Sequence, residues 1–261
     1  MSFEEWVDAL ERRHMANLRL PEVTRALRAL SSAYVERRHA VARGGTLDSA
    51  GKRAAFALFY APLHFLTCMH VLRVLDPTAG PAPAAVLDVG CGTGTAGAAW
   101  AIARGGGVPV TGIDRHPWAV DEARWTYRTL RLRGSARQGD LARLPRLDGG
   151  TAVIAAYVLN ELPADVRTRV LERLIAASHH GVRVLVLEPI ARSVAPWWDE
   201  AARLTVNSGG RSDEWRFPVQ LPPLLRTLDK AAGLDHHELT ARSIWLPGGA
   251  AEAALADRTA D

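Results

Sequence analysis

The sequence predicts an α/β protein: a doubly wound, mostly parallel sheet preceded by an N-terminal helical extension. Three observations carry that expectation. Between residues 86 and 188, short apolar runs suited to buried strands alternate with helical patterns. The first run, Val86-Leu87-Asp88-Val89, is followed by Gly90, Gly92 and Gly94 and then by Ala-rich helical sequence, the order strand, tight turn, helix. Residues 1–80, by contrast, show only helical periodicity, and they close on the Pro- and Gly-rich stretch Pro77 to Pro83.

Taken in order, Phe3, Trp6, Val7 and Leu10 fall on one face of a first helix. A second amphipathic run covers Pro21 to Val41 and ends at Gly44-Gly45, and a third, Ala54 to Leu75, is kinked or split at Pro62. Strands are expected at Val86 to Val89, Val108 to Asp114, Ser135 to Asp140, Thr151 to Val158 and Val182 to Glu188. Pro117 to Leu130 and Asp165 to Ala177 read as helices between them. Right-handed crossovers then place a ligand at the carboxyl ends of the strands. Beyond Pro189, Pro196-Trp197-Trp198 leads a short helix to Val206, Gly209 to Phe217 reads as a loop, and Pro222 to Ala232 as a helix. Leu234 to Leu246 holds one strand, no further strand is legible, and Ala250 to Asp261 is an Ala-rich tail. The expected division is a helical cap over 1–80, an α/β core over 81–249 with a substrate loop near 195–220, and a tail over 250–261.

Composition narrows the possibilities. A chain of 261 residues, 48% hydrophobic and 23% charged, buries a full core, which excludes a disordered protein. The apolar runs read as too short and interrupted to span a bilayer, and MSFEEWVDALERRH lacks the basic start and apolar centre of a signal peptide, so a cytoplasmic location is expected. Cys68 and Cys91 are too few for a disulfide framework or a cysteine-ligated metal, and no metal site is expected. The net charge of +4 is modest and is carried almost wholly by arginine.

Two readings fit the glycine turn. Gly92-x-Gly94-x-x-Gly97, with Asp114 following, satisfies the dinucleotide fingerprint and points to a nicotinamide oxidoreductase. Asp88 two residues before the first glycine, Asp140 after the third strand and Asn160-Glu161-Leu162-Pro163 after the fourth favour S-adenosylmethionine instead. Together these residues resemble the class I S-adenosylmethionine-dependent methyltransferases, with their Rossmann-like core, over roughly residues 85–190. The resemblance implies that Gly90, Gly92 and Gly94 lie against the methionine portion of the cofactor and that Asp88 positions its ammonium group. It implies that Asp114 accepts from the ribose hydroxyls, Asp140 from the adenine amino group, and that His116 and Leu141 flank the purine. An Asp at 114 would equally stabilise a turn, and one at 140 would cap a helix.

Tyr157, Asn160 and Glu161 end the fourth strand, which in this fold faces the transferred methyl group: Glu161 would take a proton, Asn160 orient the nucleophile and Tyr157 line the pocket. The same residues would also serve simply to turn the chain into the next helix. Tyr60 and His64 of the leader and Arg211, Trp215 and Arg216 of the aromatic loop are candidate substrate contacts, the loop acting as a lid. The run from Tyr157 to Pro163, with Tyr60-Ala61-Pro62-Leu63, is also similar to the methyltransferase-like family associated with mitochondrial small ribosomal subunit assembly, whose C-terminal cysteine cluster this sequence lacks. Arg124, Arg128 and Arg131 share a helical face that would track RNA phosphates if it is not simply solvated. A small-molecule acceptor is therefore expected, with RNA or a ribosomal particle, or a non-catalytic assembly role, as the alternative.

Overall fold

In a computed structural model, residues 1–36, 47–76, 80–191 and 195–249 are described. The expected end of the second helix at Gly44-Gly45, part of the Pro77 to Pro83 linker and the Ala250 to Asp261 tail lie outside them.

The leader is helical. Helix α1 (Phe3–His14) starts with a capping box in which Glu5 N donates to Ser2 Oγ (3.1 Å) and Ser2 N to the Glu5 carboxylate (2.7 Å). Its face of Trp6, Val7 and Leu10 is buried, as the periodicity requires. Helix α2 is Leu20–Glu36. Helices α3 (Ala50–Ala55) and α4 (Ala61–Leu75) are continuous through one π-helical turn, Phe56–Tyr60. The expected split at Pro62 does not occur: the helical run continues through it, and the widened π turn before Pro62 accommodates the ring and the carbonyl one turn back that its missing N–H leaves without that bond. This continuous run of 26 residues is long and apolar enough to cross a membrane by length and composition, which corrects the reading of its apolar stretches as too short. It is a core helix here, with 72% of its most apolar window buried inside the protein.

The sheet has seven strands in the order β3-β2-β1-β4-β5-β7-β6. Strands β1 (Val86–Val89), β2 (Val110–Asp114), β3 (Gly134–Gln138), β4 (Ala152–Ala156) and β5 (Arg183–Glu188) are parallel, and β7 (Glu238–Leu246) runs antiparallel between β5 and β6 (Arg211–Pro218). The order reverses between β1 and its neighbours β2 and β4, which opens a crevice at their carboxyl ends. The stretch read as a lid loop is thus an edge strand, and it supplies the strand that sequence reading did not find. Its alternation of charged and aromatic residues, RSDEWRFP, is that of a strand with one face in water.

Helices α5 (Thr95–Ala103), α6 (Pro117–Thr129) and α9 (Pro223–Ala231) cover one face of the sheet together with the leader. Trp6, Leu27, Phe59 and Leu72 belong to the same buried cluster as Val86, Trp100 and Trp245, so leader and sheet share one core. Helices α7 (Ala164–Ser178) and α8 (Trp198–Asn207) cover the other face. One ionic tie fastens α1 to α6: buried Glu122 accepts from Arg13 Nε with both carboxylate oxygens (3.0 and 3.1 Å) and from Arg13 Nη2 (3.1 Å), and it pairs with His14 Nε2 (2.8 Å).

Candidate active site

At the switch point β1 turns into α5 through three left-handed glycines, Gly90 (φ 67°), Gly92 (φ 50°) and Gly94 (φ 79°). Their spatial demands differ. A Cβ on Gly90 would meet Val158 Cγ2 at 2.2 Å and one on Gly94 the Tyr127 ring at 2.9 Å, so packing alone requires both. A Cβ on Gly92 would meet nothing closer than the Phe56 ring at 3.7 Å, because Gly92 faces a cavity of about 390 Å³. Gly94 is the N-cap of α5 and brings no side chain to cap it, which leaves that end of the helix available to a ligand.

The cavity runs between the carboxyl ends of β1, β2, β4 and β5 and the leader. Asp88, at 1% exposure, accepts from Gly97 N through Oδ2 (2.8 Å), while its Oδ1 is buried with no hydrogen-bond partner among the described residues. Burial pushes its carboxyl up to about 7, against the opposing Gly97 hydrogen bond. Asp114 ends β2 with Oδ2 accepting from Gly92 N (2.9 Å) and Oδ1 from His116 N (2.8 Å). It stabilises the turn, one of the two roles considered from sequence, and it also lines the cavity, with one lone pair of each oxygen still available. His116 lines the same wall, its Nδ1 buried and without a partner among the described residues, its pKa lowered by burial and by the nearby Arg53.

The end of β4 is held from β5. Glu188, fully buried, accepts from Leu159 N (2.9 Å), Asn160 N (3.2 Å) and Asn160 Nδ2 (2.5 Å), and Asn160 Oδ1 accepts from Trp197 Nε1 (2.8 Å). The Asn160 amide is thus occupied at both ends, and it fixes the one-turn helix Leu159–Glu161. Tyr157, with φ 58°, is forced into the left-handed region that glycine favours, and its ring stacks on His64 at 3.9 Å and 16°. Glu161 faces the cavity with its side chain 30% exposed and Oε2 3.8 Å from Arg115 Nη2. Burial pushes the Glu161 carboxyl up to about 7 and that of Glu188 up to about 8.

Of the residues singled out from sequence, the cavity brings together Tyr60, His64, Asp88, Gly90, Gly92, Asp114, His116, Tyr157, Asn160 and Glu161. Asp140 and Leu141 do not line it: Asp140 caps the turn Leu141–Arg143 by accepting from Ala142 N (2.9 Å), and Leu141 is buried in the core of the opposite face. Arg211, Trp215 and Arg216 are also elsewhere. On edge strand β6, Arg211 pairs with Asp213, Arg216 pairs with Glu238 (3.2 Å), and Trp215 Nε1 donates to Ser243 Oγ (2.9 Å). Trp215 meets the leader at His70, ten residues along the helix from Tyr60 and well away from the cavity. Phe56 and Glu188 were missed. The signal for Glu188 was present, since a lone carboxylate closing the apolar run VRVLVLE sits at the sheet's ligand-binding edge, as Asp114 does.

Residues 86–181 match the family described as a methyltransferase domain. The match spans β1 to the end of α7, the part that builds the glycine turn, Asp88 and Asp114. That part of the chain is a methyltransferase domain. Curated protein sequences give no match. Among solved structures, the chain is similar to magnesium protoporphyrin IX methyltransferase from Synechocystis PCC 6803 with bound S-adenosylmethionine, at 16% identity and TM-score 0.44 over 70% of this chain and 79% of that one. It is similar to the mitomycin 7-O-methyltransferase at 20% identity and TM-score 0.49, over 84% of this chain and 60% of that one. A putative RNA methyltransferase from Pyrococcus horikoshii matches at 12% identity and TM-score 0.46 over 72% of this chain and 85% of that one. The cavity's own features fit the cofactor: a buried carboxylate oxygen on Asp88 with no partner among the described residues, a helix N-terminus whose N-cap glycine brings no side chain, and a glycine at 92 where a side chain would enter the ligand's space.

Proposed function

We propose that the protein is an S-adenosylmethionine-dependent methyltransferase that modifies a small-molecule acceptor enclosed between the leader helix and the carboxyl end of the sheet. The observation that carries the proposal is that Phe56, Tyr60 and His64 of the leader and Asp88, Asp114 and Glu161 of the sheet line one cavity. S-adenosylmethionine, when bound, supplies a methyl group already activated on a sulfonium. The work left to the protein is alignment and exclusion of water. In this reading Asp88 Oδ1 receives the amino group, the backbone at Gly92 lies along the methionine chain, Asp114 holds the ribose hydroxyls and His116 flanks the adenine. Glu188 and Trp197, by holding Asn160, fix the turn that carries Glu161 to the acceptor, and the Glu161 carboxylate accepts the acceptor's proton.

A screen of labelled methyl transfer from S-adenosylmethionine to a metabolite collection, run beside bulk cellular RNA, tests the proposal. Label entering a low-molecular-weight product supports it. Label entering RNA alone, with loss of transfer on reversing Arg124 and Arg128 to Glu, replaces it with an RNA acceptor. Arg131 would not belong to such a face, because it lies past the end of α6 with φ 57°.

A further inference from the structure

Resting on the methyltransferase reading, we infer that the acceptor end of the cavity takes a flat ring bearing an amine or a basic ring nitrogen, and that the methyl group goes to nitrogen.

The first ground is an aromatic wall. Phe56, Tyr60 and His64 stand four residues apart, and in an α-helix each such step would rotate the side chain by roughly 40° around the axis. The π-helical turn Phe56–Tyr60 is wider and offsets that drift, so all three reach the cavity. Ring centroids lie 6.0 Å apart for Phe56 and Tyr60, 6.1 Å for Tyr60 and His64, and 3.9 Å for His64 and Tyr157. The faces of such rings are electron-rich and attract a cation or a flat partner.

The second ground is charge. Four carboxyl groups line the cavity, Asp88, Asp114, Glu161 and Glu188, against one arginine among the described residues, Arg115. The orphaned Oδ1 of Asp88, on a side chain only 1% exposed, is a buried acceptor aimed at a ligand donor. The cofactor's amino group and ribose use Asp88 and Asp114, and Glu188 is spent on Leu159 and Asn160. Glu161 is the carboxylate left for the acceptor. A carboxylate or phosphate acceptor would bring like charge against Glu161 and the neighbouring Asp114, whereas a nitrogen base brings the complementary one. Glu161 first takes a proton if the nitrogen enters protonated. The freed lone pair then forms the N–CH₃ bond while the C–S bond breaks, its electron pair remaining on sulfur as a neutral thioether. Glu161 then gives up the proton it took to water, and any N–H proton released afterwards follows the same route.

The test uses matched amine and carboxylate probes on the full chain saturated with S-adenosylhomocysteine: phenethylamine against phenylacetate, and tryptamine against indole-3-acetate, by calorimetric titration. Each amine is expected to bind at least tenfold tighter than its carboxylate. Glu161→Gln should reduce that preference to less than threefold, and Tyr60→Leu should weaken the amines about fivefold while leaving the sign of the preference. Equal affinities, tighter carboxylates, a preference that survives Glu161→Gln, or no binding by either amine would overturn the inference. If S-adenosylhomocysteine itself does not bind, the methyltransferase reading fails, and that failure is seen in the first titration before any probe is added.

Discussion

Replacing Asp114 by Ala removes a group that shapes the glycine turn and that, in the proposed function, holds the ribose. In the folded protein its two oxygens each accept one backbone bond, from Gly92 N at 2.9 Å and His116 N at 2.8 Å. Those donors stand at a cavity wall, so water can replace the lost acceptor, and the cost to folding is held to ~1 kcal/mol. The cost to binding is larger. A hydrogen bond to a charged acceptor is worth ~1.5–3 kcal/mol, and taking the lower value for each ribose hydroxyl gives about 3 kcal/mol, roughly a hundredfold in Kd. Asp114→Asn keeps the shape and one neutral acceptor oxygen, so its loss should fall near tenfold. Calorimetric titration with S-adenosylhomocysteine reads both, with thermal melting as the control for folding. A variant that melts like the wild type and binds within threefold of it would remove Asp114 from the cofactor site.

Gly90→Ala should destabilise the fold, because its Cβ would land 2.2 Å from Val158 Cγ2 at a positive φ, whereas Gly92→Ala should stay folded at a cost of ~1–2 kcal/mol and lose cofactor affinity. Similar melting temperatures for the two would contradict the distinction between packing and ligand glycines. Glu188, with its carboxyl raised from 4.5 to about 8 by burial, stays protonated in the fold while the unfolded chain ionises. The stability it contributes is therefore complete below about pH 4.5 and drains as pH rises through about 8, so denaturant melts of the cofactor-free protein should weaken across that window and Glu188→Gln should flatten the slope. With Glu161 raised to about 7, methyl transfer that uses it as base should rise with pH through that value, and Glu161→Gln should abolish the rise; an unchanged profile would confine Glu161 to a structural role. Glu122→Ala should cost about 2 kcal/mol, read as a lower melting temperature, by releasing Arg13 and His14 of α1 from α6.

The parallel strands were legible because each is a short, nearly all-apolar run between turn residues, the pattern of a strand buried on both faces. Strand β6 was not, because an edge strand is half in water: Arg211, Asp213, Glu214 and Arg216 read as a polar loop until β7 pairs with them residue for residue. The site divides in the same way. Asp88, Asp114 and the glycines sit at fixed offsets from one strand or the next, so local sequence carries them. The commitment of Asn160 to Glu188 and Trp197, 28 and 37 residues away, depends on which strands become neighbours. Asp140 shows the opposite case, where a residue at the expected offset lies outside the cavity lining and one of its carboxylate oxygens caps the local backbone at Ala142. The π turn at Phe56–Tyr60 left no trace in composition, since Pro62 reads as a helix break unless the turn before it is known to widen.

The most direct test is a crystal structure of the full chain grown with S-adenosylhomocysteine. It should show the ligand in the cavity beside Gly92, with its amino nitrogen within hydrogen-bond distance of Asp88 Oδ1, its two ribose hydroxyls on Asp114, and its sulfur directed toward the wall formed by Tyr60, His64 and Glu161. A ligand bound elsewhere, or one in this cavity with its ribose turned away from Asp114, would contradict the assignment of the site.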